Sequence, residues 1–372
     1  MPAAQIYPVV NVIANNVKYT GDAVVDVTSF LKFGQAALSD PLMTESVYNQ
    51  LIDVIGKTMI AIDEAEEDER GIVVDSFEYG SILQKLSFQL QNAESSSEWD
   101  IANPENPYEE VAKNGIVQKF FEQEIPTFSY KDVAYDVQLR EAFKSPEALA
   151  GFIDALYTRM RNAYRIAKNG LSDAAVGGLM ASVVADTNNV NAGRRVRHLL
   201  TEYNHDMGES LTEDKSLADE NYLDFIRKQI RIDQKNLNKM NKLYNDGTVE
   251  RRTTEADLKL DLSVALTASY AKYYGDTYNE NYVQLPKHTE IVNWGIATKP
   301  QTVKVTLDGQ ATTTIEHILG CMYDKDAVVA TMDRSRFVSI YDQWNDRNVF
   351  KLTANRRYIA DPSENVVIYL ND

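Results

Sequence analysis

The sequence predicts an α+β protein. One long apolar stripe at three- and four-residue steps runs from Leu149 to Ala167, and strands marked by strict alternation gather in the second half, as at Leu258, Leu260 and Leu262. The composition agrees. Of 372 residues, 44% are hydrophobic and 25% charged, the balance of a chain that folds around a core, and the length allows about two or three domains.

Taken in order, Pro8 to Ile13 reads as a short extended piece. Ser39-Asp40-Pro41 is a helix start, and Val47, Leu51, Ile52, Val54, Ile55, Met59 and Ile62 follow it at helical spacing. That helix runs into Asp63 to Glu69, where six of seven residues are carboxylates. Leu86, Phe88 and Leu90 alternate with Ser87 and Gln89 as a strand, and a second extended run covers Ile116 to Ile125, stopped by Pro126. Between them lies a long polar stretch with Trp99 and Tyr108 as isolated large groups. Connections of that length inside a compact domain are normally functional or flexible. The segment therefore reads as a two-stranded arm with a long tip, and two strands alone are marginal in water. Such an arm needs another surface to lie on.

Ser145-Pro146-Glu147 opens the clearest helix, with Ser as cap and Pro in the first turn, and Asn169-Gly170 is its expected stop. A second helix is expected from Ser172-Asp173 to about Asp186, and a basic one from about Leu223 to Tyr244. Strands are expected at Leu258 to Leu262, Tyr282 to Leu285, Thr302 to Leu307, Met322 to Met332 and Val366 to Leu370.

The formal charge of −17 is unevenly placed. Ala61 to Pro126 holds 16 acidic and four basic residues, a net of −12, whereas Phe225 to Arg252 holds eight basic and three acidic ones, a net of +5. Such acidity disfavours a broad grip on nucleic acid, which needs clustered cations. Each cluster can be a solvated face, or the two can meet within one chain or between copies.

Few patterns carry chemistry. Gly56-Lys57-Thr58 lacks the preceding glycine of a phosphate loop, Leu51 standing there, and the four histidines (His198, His205, His288, His317) show no metal spacing. The single cysteine, Cys321, lies in an apolar run and is expected to be a buried, inert thiol. Arg194-Arg195-Val196-Arg197 is a basic cluster without stacking aromatics, a weak nucleic-acid signal. Carboxylates are too abundant for one acid/base pair to stand out. The expectation is no catalytic site, no cofactor and no metal. No run approaches the about 20 apolar residues of a membrane helix. Met1 to Ile6 lacks the regions of a signal peptide, so the chain is expected to be soluble and made in a cytoplasm.

Phe120-Phe121-Glu122-Gln123-Glu124-Ile125-Pro126, Leu139-Arg140-Glu141-Ala142-Phe143-Lys144-Ser145 and Phe152-Ile153-Asp154-Ala155-Leu156-Tyr157, in this order, resemble the major capsid proteins of tailed bacteriophages, nearest to the phi 29-type podophages. Met322 to Ala327 with Tyr341-Asp342 is a weaker likeness. The resemblance implies the Hong Kong 97-type fold. Its parts would be an N-terminal arm at 1–65, an extended hairpin arm (E-loop) at 66–130, a peripheral domain with a long spine helix at 131–243 and 311–372, and an axial domain at 244–310.

It also implies a head protein that assembles with itself, as hexamers and pentamers, into an icosahedral shell in the host cytoplasm. Double-stranded DNA would be the enclosed, weakly contacted cargo, with a portal protein and scaffold or decoration proteins as partners and no membrane. The expected assembly interface pairs Glu94, Glu98, Trp99, Tyr108, Glu109 and Glu110 of the acidic arm with Arg159, Arg161 and Arg165, or with the basic helix, of a neighbour. A nanocompartment shell of the same fold and a soluble carboxylate-dependent enzyme stand as alternatives.

Overall fold

The structure, a computed structural model, describes residues 6–39, 43, 46, 47, 50, 68–74, 82–88, 116–122, 127–186, 192–274, 285–296, 298–306, 311–342, 344–345 and 347–372. The chain divides into two compact units. The first comprises 1–78, 125–171 and 331–357, the second 79–124, 172–330 and 358–372.

The first unit opens with α1 (Ile6–Asn16) and α2 (Val27–Ser39). The extended piece expected at Pro8 to Ile13 is thus helical. Ile6, Val10, Ile13 and Ala14 are buried on one stripe, and burying that face outweighs the modest helix propensity of its β-branched residues. Asp26 precedes α2 and its Oδ1 accepts the Ser29 amide at 2.7 Å, which satisfies one free N–H of the first turn. Phe30 and Phe33 of α2 close on Phe143 with ring centroids 5.9 and 6.1 Å apart.

A four-stranded sheet follows in the order β1 (Val73–Val74), β11 (Val328–Asp342), β12 (Arg347–Ala360) and β4 (Thr127–Tyr135). β12 and β4 run antiparallel in unbroken register from Arg347↔Tyr135 to Asn355↔Thr127. After β4 come α3 (Asp136–Ala142) and α4 (Pro146–Ala185). Ser145 caps α4 through its Oγ, which accepts the Ala148 amide at 3.1 Å.

α4 does not stop at Asn169-Gly170. It runs on for 40 residues in all, about 60 Å of helix, and joins the two helices expected there. Gly170 is not among the glycines with positive φ, and Asn169 sends its amide to Glu69 at 3.2 Å instead of capping. The apolar stripe resumes at once with Leu171, Ala175, Val176, Leu179 and Met180, all buried, and this offsets the cost of an interior glycine.

The second unit holds a two-stranded arm, β2 (Ile82–Phe88) with β3 (Ile116–Glu122), and a five-stranded sheet. The sheet order is β5 (Val196–His198), β13 (Val366–Leu370), β10 (Ile318–Asp324), β6 (Leu258–Ser263), β7 (Thr289–Ile291). Every residue of β10 and β13 is buried, as expected of central strands with both faces covered. Helices α5 (Leu199–Met207), α6 (Glu220–Leu237) and α7 (Val264–Tyr274) supply Tyr203, Leu223, Ile226, Ile230 and Leu266 to the same core as Leu260, Leu262, Met322 and Tyr369. A small hairpin, β8 (Val303–Thr306) and β9 (Thr312–Ile315), lies beside Gly177, where an added Cβ would stand 2.9 Å from Val303.

The basic helix, α6, starts three residues earlier than expected. Asp219 caps it, accepting the Tyr222 amide at 2.9 Å, and it ends at Leu237, whose carbonyl accepts the Thr253 amide at 2.9 Å. The expected strand at Tyr282 to Leu285 lies, but for Leu285, outside the described residues, as do Gly56-Lys57-Thr58 and most of the helix after Pro41.

Candidate assembly surfaces

Three kinds of surface are candidates: the arm, the basic faces and the exposed tip of a hairpin.

In the arm, β2 and β3 pair antiparallel from Ile82↔Glu122 to Phe88↔Ile116, with no third strand beside them among the described residues. Two strands leave two edges and both faces to be satisfied elsewhere. The tip residues Glu94, Glu98, Trp99, Tyr108, Glu109 and Glu110 lie outside the described residues.

The three arginines of α4 do not form one face. Arg161 and Arg165 are one turn apart, whereas Arg159 lies about 200° around the helix from Arg161. Arg159 pairs with Asp132 of β4 at 3.0 Å. Beside them, burial and then the Asp132 charge push the Tyr130 hydroxyl above its ordinary range. On α6, Arg227 bridges Asp224 and Lys235 bridges Glu255. Lys228 and Arg231 face solvent there, with the exposed Ile232 between Arg231 and Lys235.

The basic run Arg194-Arg195-Val196-Arg197 is mostly consumed inside the fold. Arg195 is fully buried and donates to the Pro362 carbonyl at 2.6 Å, with Asp186 at 3.4 Å. Arg197 donates through Nε to Glu202 at 2.8 Å and through Nη1 to Asp233 at 3.1 Å. Asp233 also accepts from Tyr244 at 3.1 Å and Tyr369 at 3.2 Å. Desolvation raises Asp233 and both tyrosines. A basic run that is only a weak nucleic-acid signal in sequence thus supplies part of the buried polar network of the second core. Cys321 is buried on β10.

Sequence reasoning missed one surface. Between β11 and β12, Trp344 is 96% exposed. Asp342 orders this tip: Oδ1 accepts the Trp344 amide at 3.2 Å, and Oδ2 accepts Asn345 Nδ2 and Arg347 Nε, each at 2.8 Å. Ile340, Tyr135 and Val137 are exposed at the same end of the sheet. The signal available in sequence was a lone tryptophan amid turn-forming Asp342, Asn345 and Asp346.

The family described as Phi29-like phage major capsid protein matches residues 9–370. Among solved structures, the capsid structure of Staphylococcus phage Andhra is similar with a TM-score of 0.56 at 10% identity, over 82% of this chain and 85% of that one. The structure of head fiber and inner core protein gp22 of native bacteriophage P68 is similar with a TM-score of 0.50 at 9% identity, over 81% and 83%. At such identities the likeness speaks for the fold alone. No curated protein matches the chain.

Proposed function

The chain belongs to the Phi29-like phage major capsid protein family, and from that premise we propose how it builds a shell. It is a shell-forming head protein of the virion, with the Hong Kong 97-type fold. Membership over residues 9–370 carries this conclusion, and neither a nanocompartment nor a carboxylate-dependent enzyme is favoured by it.

In the proposed shell each copy lays its β2–β3 arm over a neighbour, which gives the two strands a further surface to lie on. Repeated heterologous contacts of this kind close a lattice. The acidic tip residues Glu94, Glu98, Glu109 and Glu110 meet basic groups of the neighbour, with Trp99 and Tyr108 as apolar anchors. Arg159, Arg161 and Arg165, or Lys228 and Arg231 on α6, are the receiving cations, with Arg159 exchanging its exposed pair with Asp132. The peripheral domain takes the long helix and the β11–β12 sheet. The axial domain takes Tyr244 to Gln310 and, because they share one sheet with β6 and β7, also β5, β10 and β13. Double-stranded DNA is the enclosed cargo, touched weakly by an acidic wall, and the shell assembles in the host cytoplasm on a portal with scaffold or decoration proteins.

Negative-stain microscopy of the expressed chain, alone and with the other head proteins, tests this proposal. Uniform closed shells are expected. A stable monomer under both conditions overturns it.

A further inference from the structure

We propose that a cationic cavity beside strand β7 binds a small organic phosphate, of the size and chemistry of a nucleoside monophosphate. The inference goes beyond the shell-forming reading and does not depend on it.

The cavity lies within the second unit and holds about 320 Å³, the low end of the range for small-molecule sites. Its floor is apolar. Leu260 of β6 and Met322 of β10 stand opposite each other across the ladder between those strands, and Leu258 and Pro286 extend the surface. Its walls are Gln234 of α6, the turn at Glu255-Ala256, and Lys287-His288-Thr289 at the entry to β7.

These walls are fixed by bonds of their own. The Asp257 amide donates to the Thr254 carbonyl at 3.1 Å, and Thr254 Oγ1 donates to the Asp257 carboxylate at 2.6 Å. Lys325 Nζ holds the same carboxylate at 2.6 Å. His288 Nδ1 donates to the Pro286 carbonyl at 2.7 Å, which ties the ring to the bend before β7. A site formed in advance loses little ordering entropy when it is filled.

The lining selects the ligand. Lys259, Lys287 and His288 stand against one carboxylate, Glu255, which Lys235 bridges. In a chain of formal charge −17, a concavity lined mainly by cations focuses the field and draws anions in. Lysine is a compact point charge suited to phosphate, whereas the planar carboxylate is matched by the arginine fork, and no arginine lines the cavity. The Thr289 hydroxyl and the Gln234 amide add neutral donors. The apolar floor calls for an organic body on the phosphate, and the Met322 sulfur is a favourable contact for a ring. A DNA duplex is too wide for this volume and would meet only the rim.

Isothermal titration calorimetry of the full unassembled chain with adenosine monophosphate tests the proposal. Adenosine, inorganic phosphate and a short DNA duplex are the comparison ligands. Saturable binding at millimolar affinity or tighter is expected, with adenosine and inorganic phosphate each weaker by at least about tenfold and no displacement by the duplex. Lys287→Gln should weaken binding by at least about tenfold in a subunit still folded by circular dichroism. Ala256→Trp fills the cavity without changing a charge and should abolish binding. Lys304, exposed on β8, does not line the cavity, so Lys304→Gln should leave affinity unchanged. The absence of saturable binding overturns the inference, as does binding retained by Ala256→Trp or weakened equally by Lys287→Gln and Lys304→Gln. Inorganic phosphate binding as tightly as the nucleotide removes the organic body and overturns it too. Displacement by the duplex makes the site a nucleic-acid contact and likewise overturns it. Each of these results leaves the capsid reading standing, because that reading is tested by shell formation.

Discussion

The Arg197 guanidinium stands 3.1 Å from the carboxylate of Asp233, which is 1% exposed at the centre of the second unit's core. Removing one partner of such a pair leaves an uncompensated buried charge, whereas replacing both with apolar groups can be nearly neutral. Arg197→Met is therefore expected to cost about 3–5 kcal/mol in urea unfolding. The double variant Arg197→Met with Asp233→Leu should recover only part of that loss, because the buried Tyr244 and Tyr369 hydroxyls then lose their acceptor.

The same core predicts how the protein fails in alkali. Burial raises the hydroxyls of Tyr222, Tyr244 and Tyr369 above the ordinary value of 10.0. A group raised in the folded state contributes stability that is complete below its unfolded value and is lost as pH rises through the folded one. Stability should fall progressively above pH 10. Absorbance titration of the 21 tyrosines should show a subset that ionises only together with unfolding. Smooth titration of all of them in a protein still folded by circular dichroism would count against the buried network.

Two glycines should respond in opposite directions. A Cβ at Gly320 would lie 2.6 Å from Leu262 Cδ2 and 2.7 Å from the Asp261 carbonyl oxygen, and the backbone of a central strand cannot move aside. Gly320→Ala is expected to destabilise by about 1–3 kcal/mol. A Cβ at Gly170 meets nothing within 4 Å and lies inside a continuous helix, so Gly170→Ala should stabilise by up to about 1 kcal/mol. Denaturant midpoints of the two variants check both signs.

At the hairpin tip, hydrogen bonds from Asn345 and Arg347 hold the Asp342 carboxyl below its ordinary 3.8. A lowered carboxyl stabilises above its unfolded value and loses that contribution as pH falls through the folded one. The tip should stay ordered down to about pH 3.8 and loosen below it. Asp342→Ala should show the loosened state at neutral pH, read as faster amide exchange at Trp344 and Asn345.

Reversing Glu94, Glu98, Glu109 and Glu110 to Lys is expected to impair assembly while leaving the subunit folded, since exposed charges steer association more than they stabilise a fold. Shell yield by sedimentation and microscopy measures it. Normal shells would remove the electrostatic account of the arm and leave the capsid assignment intact.

Elements that depend on local chemistry were legible in the sequence. The alternation at Leu86 and Phe88 marks β2, Ser145-Pro146 marks the start of α4, and Val366 to Leu370 marks β13. Punctuation residues were less reliable where packing opposed them. Asn169-Gly170 carries the signal of a helix end, yet the buried stripe on both sides carries α4 straight through.

The start of the long helix, the two strands of the arm and the uneven charge were thus determined by the sequence itself, because each rests on spacing along the chain. Only the tertiary structure decided which cations are spoken for. Arg195 and Arg197 are drawn inward by Asp186, Asp233 and Glu202, residues up to 36 positions away. It alone decided, too, that Trp294 is enclosed while Trp344 stands in water. The reason is physical: burial and charge neutralisation are properties of neighbours in space, and the chain's local pattern does not say which residues folding will bring beside them.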